Sequence, residues 1–210
     1  MLTRLIGIAV LVSASTLAAP VAQAKTDALP AQSHAFGASR AEWGRAYVQW
    51  DVGDSVNPVS SGVCGEMVNG IFFLVTTIEP DAHVQCDVPV GTPILIQHAG
   101  SYAWGPADGE TDAELEAAAR ANFGDPDSSL TVDGRPVRLT TTETGAFDVT
   151  SEPGSAYDVD FGLGTGVIRT AAVEQVTLLH PLTPGQHEVI GRVDFGAAGE
   201  FGVTYSLDVG

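Results

Sequence analysis

Two kinds of hydrophobic periodicity divide this chain, and they predict a short helical entrance to a largely β body. Trp43, Ala46, Tyr47 and Trp50 recur at i, i+3, i+4 and i+7, one face of an α-helix. Ser39 and Glu42 stand ahead of that stripe as an S-x-x-E capping box. A helix from Arg40 to Asp51 follows, with its two tryptophans packed on the body; an aromatic stripe could also stack on sugars, but core packing is its commoner use. After Gly53 the apolar runs become short and are separated by Gly, Pro, Asn and Asp, the mark of strands and turns.

The runs Ile71 to Thr77 (IFFLVTT) and Pro93 to His98 (PILIQH) read as strands, and the first, apolar on both faces, reads as an interior strand covered on both sides. Leu130 to Leu139 (LTV-DG-RPVRL) reads as two short strands about an Asp133-Gly134 hairpin turn. Further runs at Ala156 to Phe161, Val173 to Leu179, Gln186 to Val193 and Phe201 to Val209 bring the total to about eight or nine strands, spaced as in a sandwich or barrel. One helical insertion interrupts them. Thr111 and Glu114 form a second capping box, DAELEAAARANF is built from helix formers, and Gly124 stands at the C-cap position. Leu115, Ala118, Ala119 and Phe123 face the body, while the acids Glu110, Asp112, Glu114 and Glu116 gather near the helix start, where the macrodipole favours them. The expected fold is therefore mainly β: an antiparallel β-sandwich, jelly-roll or immunoglobulin-like, with one N-terminal helix and one helical insertion.

Residues 1–24 carry a different signature. Arg4 supplies a positive flank, Leu5 to Val12 an apolar run, and Ala22-Gln23-Ala24 a small-residue cleavage site, the layout of a secretory signal peptide. The apolar run is far shorter than the ~20 residues of a membrane-spanning helix, so no integral membrane segment is expected after cleavage. Residues 25–38 (KTDALPAQSHAFGA) read as an irregular lead-in, and residues 39–210 as a single β-sandwich domain. The expected location is secreted, outside the cytoplasm.

Charge and cysteine content sharpen this picture. With Lys+Arg 9 against Asp+Glu 26 the net charge is −17, a field that repels phosphate backbones and excludes nucleic acid as a partner. Cys64 and Cys86 are the only cysteines. In an exported chain they read as one disulfide, which closes a loop of roughly twenty residues and stabilises by about 3 kcal/mol in the chain-entropy account; the alternative, a catalytic thiol, would need an electropositive setting.

Candidate chemistry is sparse. The chain lacks G-x-S-x-G, H-E-x-x-H, a Walker loop and a dinucleotide fingerprint, so no catalytic residue is assigned. His187-Glu188 opens like a zinc motif but continues Val189-Ile190-Gly191; His98 and His180 flank apolar runs, where an imidazole usually bonds a carbonyl. Asp125 and Asp127 supply oxygen ligands at alternate positions as a calcium loop does, although Leu130 and Pro136 replace the Gly and Glu such a loop needs. Asp158 and Asp160 alternate along an expected strand, which would place both carboxylates on one face to hold a hard cation or to act as an acid and base pair. Calcium is accordingly the one cofactor considered. Tyr102 and Trp104 lie in the Gly/Pro-rich stretch SYAWGPADGE, where exposed rings beside acids would suit a glycan, unless the rings merely pin their loop.

Asn57-Pro58, Gly62 to Cys64, the IFFL strand, Cys86 to Gly91 (CDVPVG), Pro181 to Val189 (PLTPGQHEV) and the closing FGVTYSLDV together resemble a group of uncharacterised exported bacterial proteins, common in actinobacteria, that share an NP…GxC…FL…CxVPxG core and a PLxPGxH…YxLxV hairpin. The resemblance implies a β-sandwich and an exported location, and no catalytic residue. On these grounds the expectation is a non-catalytic binding module for glycan or cell-surface material. The alternatives are a carboxylate-dependent, glycoside hydrolase-like enzyme and a structural cell-envelope protein. The sequence leaves the oligomeric state open.

Overall fold

In a computed structural model, residues 34–55, 62–76, 80–124 and 126–210 are described. The expected signal peptide, most of the lead-in, Asn57-Pro58 and Asp125 lie outside them. Among the described residues the strands are β1 (Gly65–Val68), β2 (Ile71–Leu74), β3 (Ala82–Val88), β4 (Ile94–Trp104), β5 (Asp127–Val132), β6 (Arg135–Pro136), β7 (Thr141–Ser151), β8 (Gly166–Leu179), β9 (Gly185–Asp194) and β10 (Glu200–Val209). They form two five-stranded sheets, ordered β1-β2-β4-β8-β7 and β3-β10-β9-β5-β6. Most pairs are antiparallel, but β2 runs parallel to β4 and β3 parallel to β10, so both sheets are mixed.

The sandwich follows from which side chains meet. Phe72, Leu74, Ile94, Ile96 and Leu179 of the first sheet pack with Val88, Leu130, Val132, Val189, Tyr205 and Leu207 of the second. Each such side chain, fully buried, contributes on the order of 2 kcal/mol. β2 is buried along its whole length, as its two-sided apolar pattern requires. Its other face carries Ile71 and Phe73, which meet Trp43, Tyr47 and Trp50.

Those three rings lie on α1 (Arg40–Val48) and the π-helical turn Gln49–Gly53 that continues it. The capping box forms both ways, Glu42 N–H to Ser39 Oγ at 3.2 Å and Ser39 N–H to Glu42 Oε2 at 2.7 Å. The turn is π because Asp54 N–H reaches Gln49 O, five residues back. Gly53 makes that widening fit: a Cβ there would lie 2.8 Å from the Thr150 carbonyl of β7. The insertion is α2 (Asp112–Phe123), with its Thr111-Glu114 box intact, Gly124 beyond it at φ 62°, and Leu115, Ala119 and Phe123 buried against Ala103, Ala171 and Val173.

Three expectations need correction. Ala156 to Phe161 is not a strand: Ala156–Val159 is a helical turn, α3. Ser155 caps it, its Oγ accepting from Asp158 N–H at 3.2 Å, and this local bond outweighs the alternating pattern that suggested a strand. Asp158 and Asp160 therefore do not share a strand face. Third, β4 does not stop at His98 but continues through Tyr102 to Trp104 after a bulge between Gln97 and Ala99, so these aromatics stand on a strand rather than a loop. The Asp133-Gly134 hairpin forms as expected, with both residues at positive φ.

Candidate functional site

The disulfide joins Cys64, just before β1, to Cys86 of β3, with the Cα atoms 5.4 Å apart. It thereby ties one sheet to the other. Neither cysteine is free.

The position most suited to a ligand lies at the bulge of β4. An open cleft of about 430 Å³ is bounded by Asp51 and Val52 of the π turn, Thr76, Gln97 to Gly100 and Tyr102 of β4, Ala156, Asp160 and Phe161 at α3, and Val193, Phe195 and Phe201 at the end of the second sheet. Its walls are largely apolar, and aromatic clusters stand on both sides. On one side Phe161 lies 5.0 Å from Trp104 and 6.0 Å from Tyr157 between ring centroids. On the other, Phe195 and Phe201 are 6.2 Å apart. Phe161 is 47% exposed.

Beneath the cleft runs a chain of polar groups. Tyr102 Oη donates to Asp51 Oδ2 at 2.9 Å, and Gln97 Nε2 donates to Tyr102 Oη at 2.8 Å and to Glu174 Oε2 at 2.6 Å. Glu174 is 0% exposed and its Oε1 has no hydrogen-bond partner among the described residues. Burial pushes its carboxyl up to about 7, with the Gln97 bond opposing and the Asp51 charge adding to the shift. Burial likewise pushes Asp51 up to about 6 against the Tyr102 hydroxyl. Asp51 retains some surface where it lines the cleft, so of the two it is the acid that meets solvent. His98 also lines the cleft, but its Nε2 is engaged with the Arg192 carbonyl at 2.8 Å, and burial lowers its pKa against that bond, favouring the neutral ring.

Of the residues singled out from sequence, His98, Tyr102 and Asp160 reach this cleft. Trp104 does not line it; the ring packs on Tyr157 and Phe161 and supports the wall. Asp158 is spent on Gly154 N–H at 3.0 Å. Asp127 begins β5, exposed and in register with Asp194. Among the described residues no group of three or more His, Cys, Asp or Glu is placed to hold a metal ion. No helix there is long and apolar enough to cross a membrane.

Asp51, Gln97, Glu174, Phe195 and Phe201 were not singled out from sequence. A signal existed for two of them: Gln97 in PILIQH and Glu174 in AAVEQVTLL are polar interruptions of apolar strands, and a buried polar group needs a partner. Nothing local marks Asp51 as their neighbour.

No family model matches the chain, and no curated protein does either. Among solved structures, a chain from the structure of PbICP-C in complex with falcipain-2 is 9% identical over 66% of this chain and 97% of that one. Its TM-score of 0.26 is too low to carry an argument about fold or function.

Proposed function

We propose that this is a secreted, non-catalytic binding protein that takes cell-envelope material in the cleft beside β4. The observation that carries the reading is the combination of apolar, aromatic walls with a polar floor whose groups are tied to one another through Tyr102 and Gln97. Such a floor orients a ligand and leaves little reactive capacity free. A disulfide and an acidic surface accord with an extracytoplasmic setting. A purely structural envelope role would leave the cleft without a use.

Phe161 offers the test, because it stands at the rim and no hydrogen bond of the fold runs through its side chain. Phe161→Ala should weaken binding of the purified protein to arrayed envelope glycans and peptides by about tenfold, with a melting temperature within roughly 3 °C of wild type. Equal binding by both proteins would move the ligand site elsewhere.

A second reading, a carboxylate-dependent hydrolase, has one observation in its favour: Asp51, with its raised pKa, and Asp160 line the same cleft. Turnover of any substrate in a broad hydrolase panel, abolished by Asp160→Asn, would replace the binding reading.

A further inference from the structure

The cleft is built around the one long stretch of β4 that lacks a neighbouring strand on one edge. β4 pairs with β2 only over Ile94 to Ile96, whereas its pairing with β8 continues to Trp104. The direction of its backbone groups follows from the bonds they make. Gly105 N–H donates to Arg169 O on the β8 side at 2.8 Å. Trp104 points the other way, its N–H to Asp108 Oδ2 and its C=O accepting from Asp108 N–H, both at 3.0 Å. Alternate residues of an antiparallel strand face the same edge, so Gly100 and Tyr102 turn their N–H and C=O groups away from β8 as Trp104 does. Unlike Trp104, they have no strand, loop or side chain to receive them among the described residues. Both residues line the cleft.

Resting on the proposed binding role of this cleft, we propose that its ligand is an extended polypeptide, cationic overall, that adds as a strand to the Gly100–Tyr102 edge of β4. Two N–H and two C=O groups, spaced two residues apart, are the template such a strand requires. A saccharide has no matching repeat of donors and acceptors. The walls are placed for side chains that leave an added strand alternately up and down: Val52, Ala156 and Phe161 on one side, Val193, Phe195 and Phe201 on the other. Charge selects among peptides. Asp51 and Asp160 are the charged residues of the lining, and the chain as a whole carries −17, so basic segments are drawn in and acidic ones repelled. At Gly100 a Cβ would lie 2.9 Å from Gln97 Nε2, so the glycine makes room for the Gln97 side chain beneath the edge.

The test uses hydrogen exchange and chemical shifts read by NMR on the exported protein. Free, the Gly100 and Tyr102 amides should exchange much faster than those of Ala99, Ser101 and Ala103, which face β8. An array of random octapeptides should then return basic sequences with alternating apolar residues, whose addition slows exchange at Gly100 and Tyr102. N-methylation of the bound peptide at alternate residues should weaken it by about tenfold for each blocked bond, and methylation at the intervening residues should not. Peptides or envelope oligosaccharides that shift Phe161 and Phe195 resonances while both amides stay fast would overturn the strand and leave the cleft as a binding site. If no peptide and no oligosaccharide perturbs the cleft, both proposals fall.

Discussion

At the scale of single residues, the most consequential group is Glu174, a carboxyl buried between β8 and Gly44 of α1, with one oxygen on Gln97 and the other without a partner among the described residues. Its folded pKa of about 7 lies above the unfolded value near 4.3, so the folded state holds the proton more tightly. The stability it contributes is therefore complete below about pH 4 and is lost as pH rises through about 7. The shift corresponds to a penalty on the order of 3 kcal/mol for the ionised form. Glu174→Gln, which keeps an acceptor for Gln97 and cannot ionise, should be close to neutral at about pH 5 and stabilising by roughly 1–3 kcal/mol at about pH 8. Urea unfolding at the two pH values measures this, and an equal effect at both would show that ionisation is not the source. Gly44 is the companion constraint: a Cβ there would run into the Glu174 carboxylate, which is why a glycine interrupts an otherwise favourable helix.

At the scale of elements, caps and turns were legible because their bonds are local. Ser39 with Glu42, Thr111 with Glu114, and Asp133-Gly134 all do in three dimensions what their spacing announces. The same locality misled at Ala156 to Phe161, where Ser155 and Asp158 form a cap inside a stretch whose alternation resembles a strand. β7 was missed for the opposite reason: TTETGAFDVTS looks polar because half of it faces solvent. The Asp133 turn is tied down further by His187, whose Nδ1 lies 2.8 Å from Asp133 Oδ2 and whose Nε2 lies 2.7 Å from Thr183 O. Partial burial opposes the charged imidazole, and the bonds to Asp133 and Thr183 outweigh it, so the His187 pKa is raised; Asp133 is lowered, its burial outweighed by its bonds to His187 and Glu188 N–H. The pair's stabilisation thus needs Asp133 ionised and His187 protonated. It is full between about pH 4 and 6.5, fades as pH rises through the elevated histidine value, and fades again below the acid range. A double-mutant cycle on Asp133→Asn and His187→Gln should give a coupling of about 0.5–1 kcal/mol at pH near 5.5 and less near pH 9. A coupling independent of pH would reduce the contact to an uncharged hydrogen bond.

At the scale of the molecule, the two-layer β architecture was foreseeable from runs and breakers, but the strand order was not, since β2 beside β4 and β3 beside β10 are pairings between distant or non-hairpin segments that leave no local trace. For the same reason the cleft could not be read in advance: its walls come from a π turn, a strand bulge, a capped helical turn and the far end of the other sheet. The Cys64–Cys86 bond links the two layers across a sequence separation of 22. Replacing both cysteines with alanine should lower unfolding free energy by about 3 kcal/mol, read from denaturant midpoints, and an unchanged midpoint would mean that sheet packing alone holds the layers together. The position of β10 has a consequence for how the chain is made. Glu200 to Val209 is the second strand in from its sheet's edge, with β3 on one flank and β9 on the other. A polypeptide emerging from its N-terminus can complete the first layer with β8, yet in the opposite layer β3 stays apart from β9 and β5 until β10 follows to join them.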